Sequence, residues 1–257
     1  MKEDVLEIGV PSTLDGSLEQ SLFLLPANGV SPVPLIVALH EWSHDRFSHE
    51  KHMPLCRDRG WAMLVPEFRG SNLTSNPRAR QACGSRLARQ DIIDAVAHVL
   101  ARFPVDPTRV VLFGASGGGH MALLTAAFAP ERWYHVDAWC PITDLAAWHG
   151  LVRPDGTRNG YAPHLEHCMG GAPGDSDALR RDYAERSPLH HVPEFMRVRS
   201  LMLHHGKQDV VVPYSQSVAL YDALEARRHP NLYLELFAGG HGVYAREAFN
   251  RFDALLR

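Results

Sequence analysis

Ser116 stands in the stretch VVLFGASGGGHMALL (110–124), where an apolar β-type run meets a crowd of glycines and then a helical pattern. A Gly-x-Ser-x-Gly pattern between a strand and a helix forces the serine into a strained corner with its hydroxyl exposed. Side chains at positions 114 and 118 would collide with the neighbouring backbone, so glycine is needed on both sides. A helix beginning near Gly117 turns its free N–H groups and its positive dipole end toward an oxyanion formed at the serine. A phosphate-binding loop, the other use of such glycines, calls for a following Lys-Ser/Thr pair that this stretch lacks.

A serine hydroxyl attacks poorly until a base takes its proton, and that base needs a carboxylate to orient it. LMLHHGKQDVVVP (201–213) puts Asp209 just beyond a strand, and LFAGGHGVYA (236–245) puts His241 in a glycine-rich loop beyond the last one. The order Ser116, Asp209, His241 is the order expected when the serine occupies a strand-to-helix corner of an α/β sheet. Asp144 is the competing acid; it comes one strand too early and also reads as a helix N-cap. Of the 16 histidines, His204 and His205 read as packed residues at a strand end, and His164, His167, His190 and His191 as surface or pocket residues. His40, His44, His49 and His52 form a loose metal-like cluster with no defined face, so neither a metal nor an organic cofactor is expected. The oxyanion needs two N–H donors, Gly117 and one from LHEWSHD (39–45), where Trp42 is the candidate and Glu41 the alternative.

These residues require a sheet to hold them. VLEIGV (5–10) and SLFLL (21–25) flank an Asp15-Gly16 turn signal and predict an antiparallel start. The apolar runs at 34–40, 61–67, 109–114, 135–140, 199–205 and 232–237 predict strands buried on both faces. Helical spacing covers 86–103, 117–129, 215–227 and 243–256. Strands alternating with helices predict a mostly parallel eight-stranded sheet with helices on both faces and ligands at the carboxyl ends of the strands. The stretch 143–198 is rich in Pro, Gly and His, shows no clear strand, and reads as a cap-like insertion over the site.

The 257 residues are 45% hydrophobic and 21% charged, which fits one domain, 1–257, with a sizeable core. A net charge of -3 provides no broad cationic surface, so nucleic acid and an anionic membrane are not expected partners. MKEDVLEIGV lacks the apolar core of a signal peptide, and no later run approaches the roughly 18–20 apolar residues that span a bilayer, so a cytoplasmic location is expected. The four cysteines, Cys56, Cys83, Cys140 and Cys168, form no CxxC pair and read as buried thiols; a Cys83–Cys168 bridge does not follow from the sequence. The oligomeric state is open, a homodimer included.

Taken together, LHEWSHD, PEFRGSN (66–72), FGASGGGHMAL (113–123), RSPL (186–189), HGKQDVVVP and AGGHG make the whole chain resemble an α/β-hydrolase, most similar to the catalytic domain of the prolyl-oligopeptidase-like family and related small esterases. The resemblance implies Ser116 as nucleophile, Asp209 as acid and His241 as base. It departs in two places, the first at the oxyanion loop, where the family's His-Gly pair is His40-Glu41. Nothing in the chain corresponds to the propeller that gives the oligopeptidases their size selection, which tilts the expectation from peptides toward esters.

The leading expectation is a serine hydrolase cleaving small carboxylic esters through an acyl-enzyme. Its rival is a peptidase or aminopeptidase acting on short peptides, for which Glu41, Glu67 or Glu166 could anchor an amine. A binding protein on a hydrolase scaffold and metal-assisted hydrolysis through the histidine cluster are the readings from other classes. Glu41, Arg69, Asn72, Trp148, His149 and Tyr161 are the expected substrate contacts, because they follow strands or lie in the insertion.

Overall fold

The structure, a computed structural model, describes residues 5–26, 32–153 and 155–257. Eight strands form one sheet: β1 (Val5–Pro11), β2 (Leu18–Leu24), β3 (Val33–Leu39), β4 (Ala62–Pro66), β5 (Val105–Ala115), β6 (His135–Trp139), β7 (Leu201–Gly206) and β8 (Leu232–Phe237). Their spatial order is β1-β2-β4-β3-β5-β6-β7-β8. The β1/β2 and β2/β4 pairs are antiparallel and all later pairs parallel. Parallel neighbours need crossovers long enough for a helix, and the helical segments of the sequence supply them.

The helices are α1 (Met53–Arg57), α2 (Arg86–Arg102), α3 (Gly117–Phe128), α4 (Leu145–His149), α5 (Ala162–Met169), α6 (Asp177–Glu185), α7 (Val192–Phe195), α8 (Ser215–Glu225) and α9 (Ala245–Leu255). Alternation along the strands splits the core in two. Leu35, Val37 and Leu39 face α2, α3 and α8, whereas Ile36 and Ala38 pack with Phe113 toward α1 and with Phe249 and Phe252 of α9. Both strand faces are thus covered, which is why these segments read as continuous apolar runs. Among the described residues no helix is long and apolar enough to cross a membrane.

Segment 143–198 contains α4 to α7 and an isolated bridge between Val152 and Arg158. Trp148, Leu165, Cys168 and Tyr183 of this segment pack with Trp42, Cys83 and Val212 in a third buried cluster. The segment therefore rests on the loops after β3 and β7, near the carboxyl edge of the sheet.

Candidate active site

Ser116 adopts φ 55 and ψ -120, a conformation that L-residues rarely hold. Neighbouring backbone imposes it: a Cβ on Gly114 would run into the Gly118 carbonyl, and one on Gly118 into the Leu39 carbonyl. The corner is tied down on both sides, since Ser116 N–H donates to Trp139 O at 2.8 Å and His120 N–H to Ser116 O at 2.9 Å.

Asp209 and His241 come from the loops after β7 and β8, and those loops are stitched together. Gln208 N–H donates to Gly239 O at 2.8 Å, and Gly239 N–H to Gln208 Oε1 at 2.6 Å. The result is a short bond, 2.6 Å, between His241 Nδ1 and Asp209 Oδ2. Asp209 Oδ1 accepts from the N–H groups of Val211 and Val212 at 2.8 and 2.9 Å, and His205 Nε2 lies 3.3 Å from Oδ2. Asp144, the competing acid, caps α4 by accepting from Ala147 N–H at 3.0 Å.

Burial pushes the Asp209 carboxyl up, but the His205 and His241 bonds and the backbone N–H groups outweigh it and hold the acid well below the carboxylate range. His241 is driven the opposite way. Burial lowers it, but the bond to Asp209 and the facing Cys140 thiol raise it to about 9. An ordinary histidine titrates near 6.5, so the orienting carboxylate stabilises the imidazolium strongly.

Glu41, Ala115, Ser116, Cys140, His241, Gly242 and Val243 line one cavity of about 150 Å³. The serine and the histidine thus share a space, although no direct hydrogen bond joins them; catalytic bonds in a ligand-free site commonly tighten only around substrate. The loop after β3 closes one wall: a Cβ on Gly117 would lie 2.5 Å from Trp42 N. Trp42 N–H donates to no acceptor among the described residues, and Gly117, first in α3, has no intrahelical acceptor. Two free N–H groups therefore stand side by side next to Ser116, the arrangement an oxyanion hole needs.

Cys140 was not singled out by sequence reasoning. Because β6 lies between β5 and β7, its first following residue falls between the serine and the acid, and Cys140 Sγ donates to Gly242 O at 3.4 Å. Strand order was the missing information.

The remaining expected contacts go elsewhere. Arg69 is fully buried, with Nε 2.5 Å from Asp91 Oδ2 and Nη1 2.8 Å from Asp15 Oδ2. Asn72 is buried, its Oδ1 accepting from Cys83 N–H at 2.7 Å. Trp148 is buried against Trp42, with Nε1–H donating to Val211 O at 2.9 Å. His149 pairs with Glu166 at 2.8 Å, and Tyr161 stacks on Trp148. None of these five lines the Ser116 cavity; they hold the loops and the 143–198 segment in place. Arg69 and Asn72 follow a strand and the others lie in the 143–198 segment, as substrate contacts could, but Arg69, Asn72, Trp148 and His149 are hydrogen-bonded within the protein.

Of the histidine cluster, His40, His49 and His52 are likewise buried, whereas His44 is exposed. His40 bonds Glu41 O and Glu67 O, and His49 bonds Leu39 O and His52. The three potential ligands that do converge within 4.8 Å, among the described residues, are Cys140, His205 and Asp209. A metal there would have to break one ring nitrogen of His205 from its partner, Ser217 Oγ (2.7 Å) on Nδ1 or Val212 O (2.8 Å) on Nε2, and take the carboxylate that orients His241. Cys83 and Cys168 are buried free thiols in mutual hydrogen-bond contact.

Comparison with known proteins places this geometry. The chain is 28% identical over 240 residues to the acylamino-acid-releasing enzyme of Rattus norvegicus, covering 89% of this chain and 31% of that one. It is 26% identical over 231 residues to dipeptidyl aminopeptidase BIII of Pseudoxanthomonas mexicana, covering 88% and 32%. It thus spans about a third of the length of these relatives. Among solved structures, a Mycobacterium tuberculosis puromycin-hydrolyzing peptidase superposes with a TM-score of 0.77 at 25% identity, over 98% of this chain and 39% of that one. The Pyrococcus horikoshii acylaminoacyl peptidase does so with a TM-score of 0.75 at 19% identity, over 98% and 40%, a likeness of α/β-hydrolase fold. The sequence profile described as Prolyl oligopeptidase family matches residues 46–256. With most of its length inside that match, the chain belongs to the prolyl oligopeptidase family.

Proposed function

We propose that the protein is a serine hydrolase that cleaves acyl bonds of small substrates through an acyl-enzyme on Ser116. The observation that carries this reading is the 2.6 Å bond from Asp209 to His241, with the histidine opening into the same cavity as the strained serine. Ser116 Oγ attacks the carbonyl carbon while His241 Nε2 takes its proton. The negative oxygen is met by the N–H groups of Gly117 and Trp42. The bond to the leaving group breaks as His241 returns the proton to it. Water, deprotonated by His241, then attacks the acyl carbon and releases Ser116. Asp209 stays ionised throughout and stabilises the imidazolium.

Relatives named as acylamino-acid-releasing enzymes and a dipeptidyl aminopeptidase favour amide bonds of short peptides over the esters expected first. Esters remain substrates of the same machinery, since an alcohol leaves more readily than an amine. The test is intact-mass labelling with a fluorophosphonate on the wild type and on Ser116→Ala. One adduct on the wild type, absent in the variant, is expected. A wild-type protein that takes no adduct would overturn the reading.

A further inference from the structure

The Ser116 cavity contains one charged group that the triad does not use. Of its lining residues only Glu41, Cys140 and His241 are ionisable, and no Lys or Arg is among them. The Asp209 charge is consumed by His241, His205 and two backbone N–H groups. Glu41 is not consumed in this way. Its Oε2 is buried without a hydrogen-bond partner, and Nδ1 of the exposed His44 lies 3.5 Å away. Burial pushes the Glu41 carboxyl up, but the surroundings of His49, its own N–H, His44 and Lys51 bring it below the ordinary value, so it is ionised at neutral pH.

A carboxylate here is costly for a neutral substrate. Glu41 immediately precedes Trp42, whose N–H faces the developing oxyanion, and two negative charges at close range in a small cavity repel strongly. A cation on the substrate would offset that repulsion, and in a cavity of about 150 Å³ the cation must be near the reacting carbon. A free α-ammonium lies two bonds from the scissile carbonyl. We infer that Glu41 is a specificity-determining residue that selects acyl groups carrying an unblocked α-amine, that is, aminoacyl rather than N-acylated substrates.

This inference rests on the serine-hydrolase reading, and the experiment separates the two. Alanine 4-nitroanilide and N-acetylalanine 4-nitroanilide are compared on the wild type, Glu41→Gln and Glu41→Asp, and kcat/KM is expressed as the ratio of unblocked to blocked substrate within each sample, so that a reduced folded fraction cancels. The wild-type ratio is expected to exceed unity by about 10- to 100-fold, the scale of one charge pair at short range. Glu41→Gln is expected to lower the ratio at least about tenfold, and Glu41→Asp to keep most of it. A wild-type ratio at or below unity, or a ratio that Glu41→Gln leaves unchanged, overturns the inference while fluorophosphonate labelling of Ser116 keeps the hydrolase reading intact. If anilide turnover is too slow to measure, protection of Ser116 from labelling by alaninamide and by N-acetylalaninamide reads the same preference, and equal protection overturns it. No wild-type adduct at all removes both.

Discussion

Two polar clusters occupy the strand ends of this sheet, and they use their hydrogen-bonding capacity in opposite ways. Around Arg69, after β4, the guanidinium bonds Asp91 and Asp15 through two nitrogens each and Gln81 through a fifth contact, while Arg78 takes Glu19 at 2.5 Å. Around Ser116, after β5, the Trp42 N–H and Glu41 Oε2 have no hydrogen-bond partner among the described residues, and Ser116 and His241 meet only across a cavity. The first cluster is complete without a ligand. The second is poised for one, at the expense of a strained backbone and a buried carboxylate oxygen without a hydrogen bond. Following a strand is therefore a weak sign of function; leaving polar groups unsatisfied in a shared space is a stronger one.

Substitutions in the two clusters should separate accordingly. Asp209→Asn, and Ser116→Ala even more, should lower kcat/KM by about 10⁴-fold or more. Steady-state assays on the best substrate check this, with thermal melts expected to move Ser116→Ala by only about 0.5 kcal/mol. Retention of a tenth of the activity in either variant would place the chemistry elsewhere.

Arg69→Ala should behave in reverse. Removing one partner of a buried, paired charge costs about 3 to 5 kcal/mol, which for a domain of this size lowers the melting temperature by roughly 6 to 20 °C. Activity per folded molecule should stay within about twofold. A raised KM at unchanged melting temperature would instead restore Arg69 as a substrate contact and dissolve the contrast.

The pH profile sharpens the functional side. General-base attack needs neutral His241, so kcat/KM should climb with pH and level off above about 9 rather than above the 6.5 of an ordinary histidine. A limb centred near 6.5 would mean that Asp209 and Cys140 do not stabilise the imidazolium to the extent their contacts imply. The smallest effect belongs to Cys140. Because its thiol helps to raise His241, Cys140→Ala should move the limb downward, by less than about one unit. An unmoved limb would make Cys140 a bystander in the cavity wall.

Much of this was visible in the chain before its fold was known. The antiparallel β1/β2 start followed from the Asp15-Gly16 turn, and α2 from apolar spacing over residues 86–103. Where reading failed, a distant partner had intervened. Helical spacing over 86–103 says nothing of what covers its acidic residues: the β1–β2 connection folds over them, so that Asp94 bonds Thr13 and Asp91 takes Arg69. The 143–198 segment showed no strand, but its four helices were obscured because each is short and two of them, α5 and α7, carry a proline in the first turn. Asn72, Trp148 and His149 were assigned to substrate on position alone, and only their neighbours show that they hold loops together.

By itself the sequence determined what is governed by short range. The glycine at 114 clears the Gly118 carbonyl within the same corner, so that part of the turn at Ser116 follows from local sterics, and strand and helix periods follow from which faces must be dry; Gly118 answers instead to the Leu39 carbonyl of β3. Tertiary structure alone decided which side chains meet. The order β5-β6-β7-β8 puts Cys140 between serine and acid, the stitched loops after β7 and β8 bring His241 to Asp209, and the loop after β3 carries Glu41 into the same cavity. Burial and hydrogen-bond satisfaction are properties of residues far apart in the chain, and they separate a working site from a structural one.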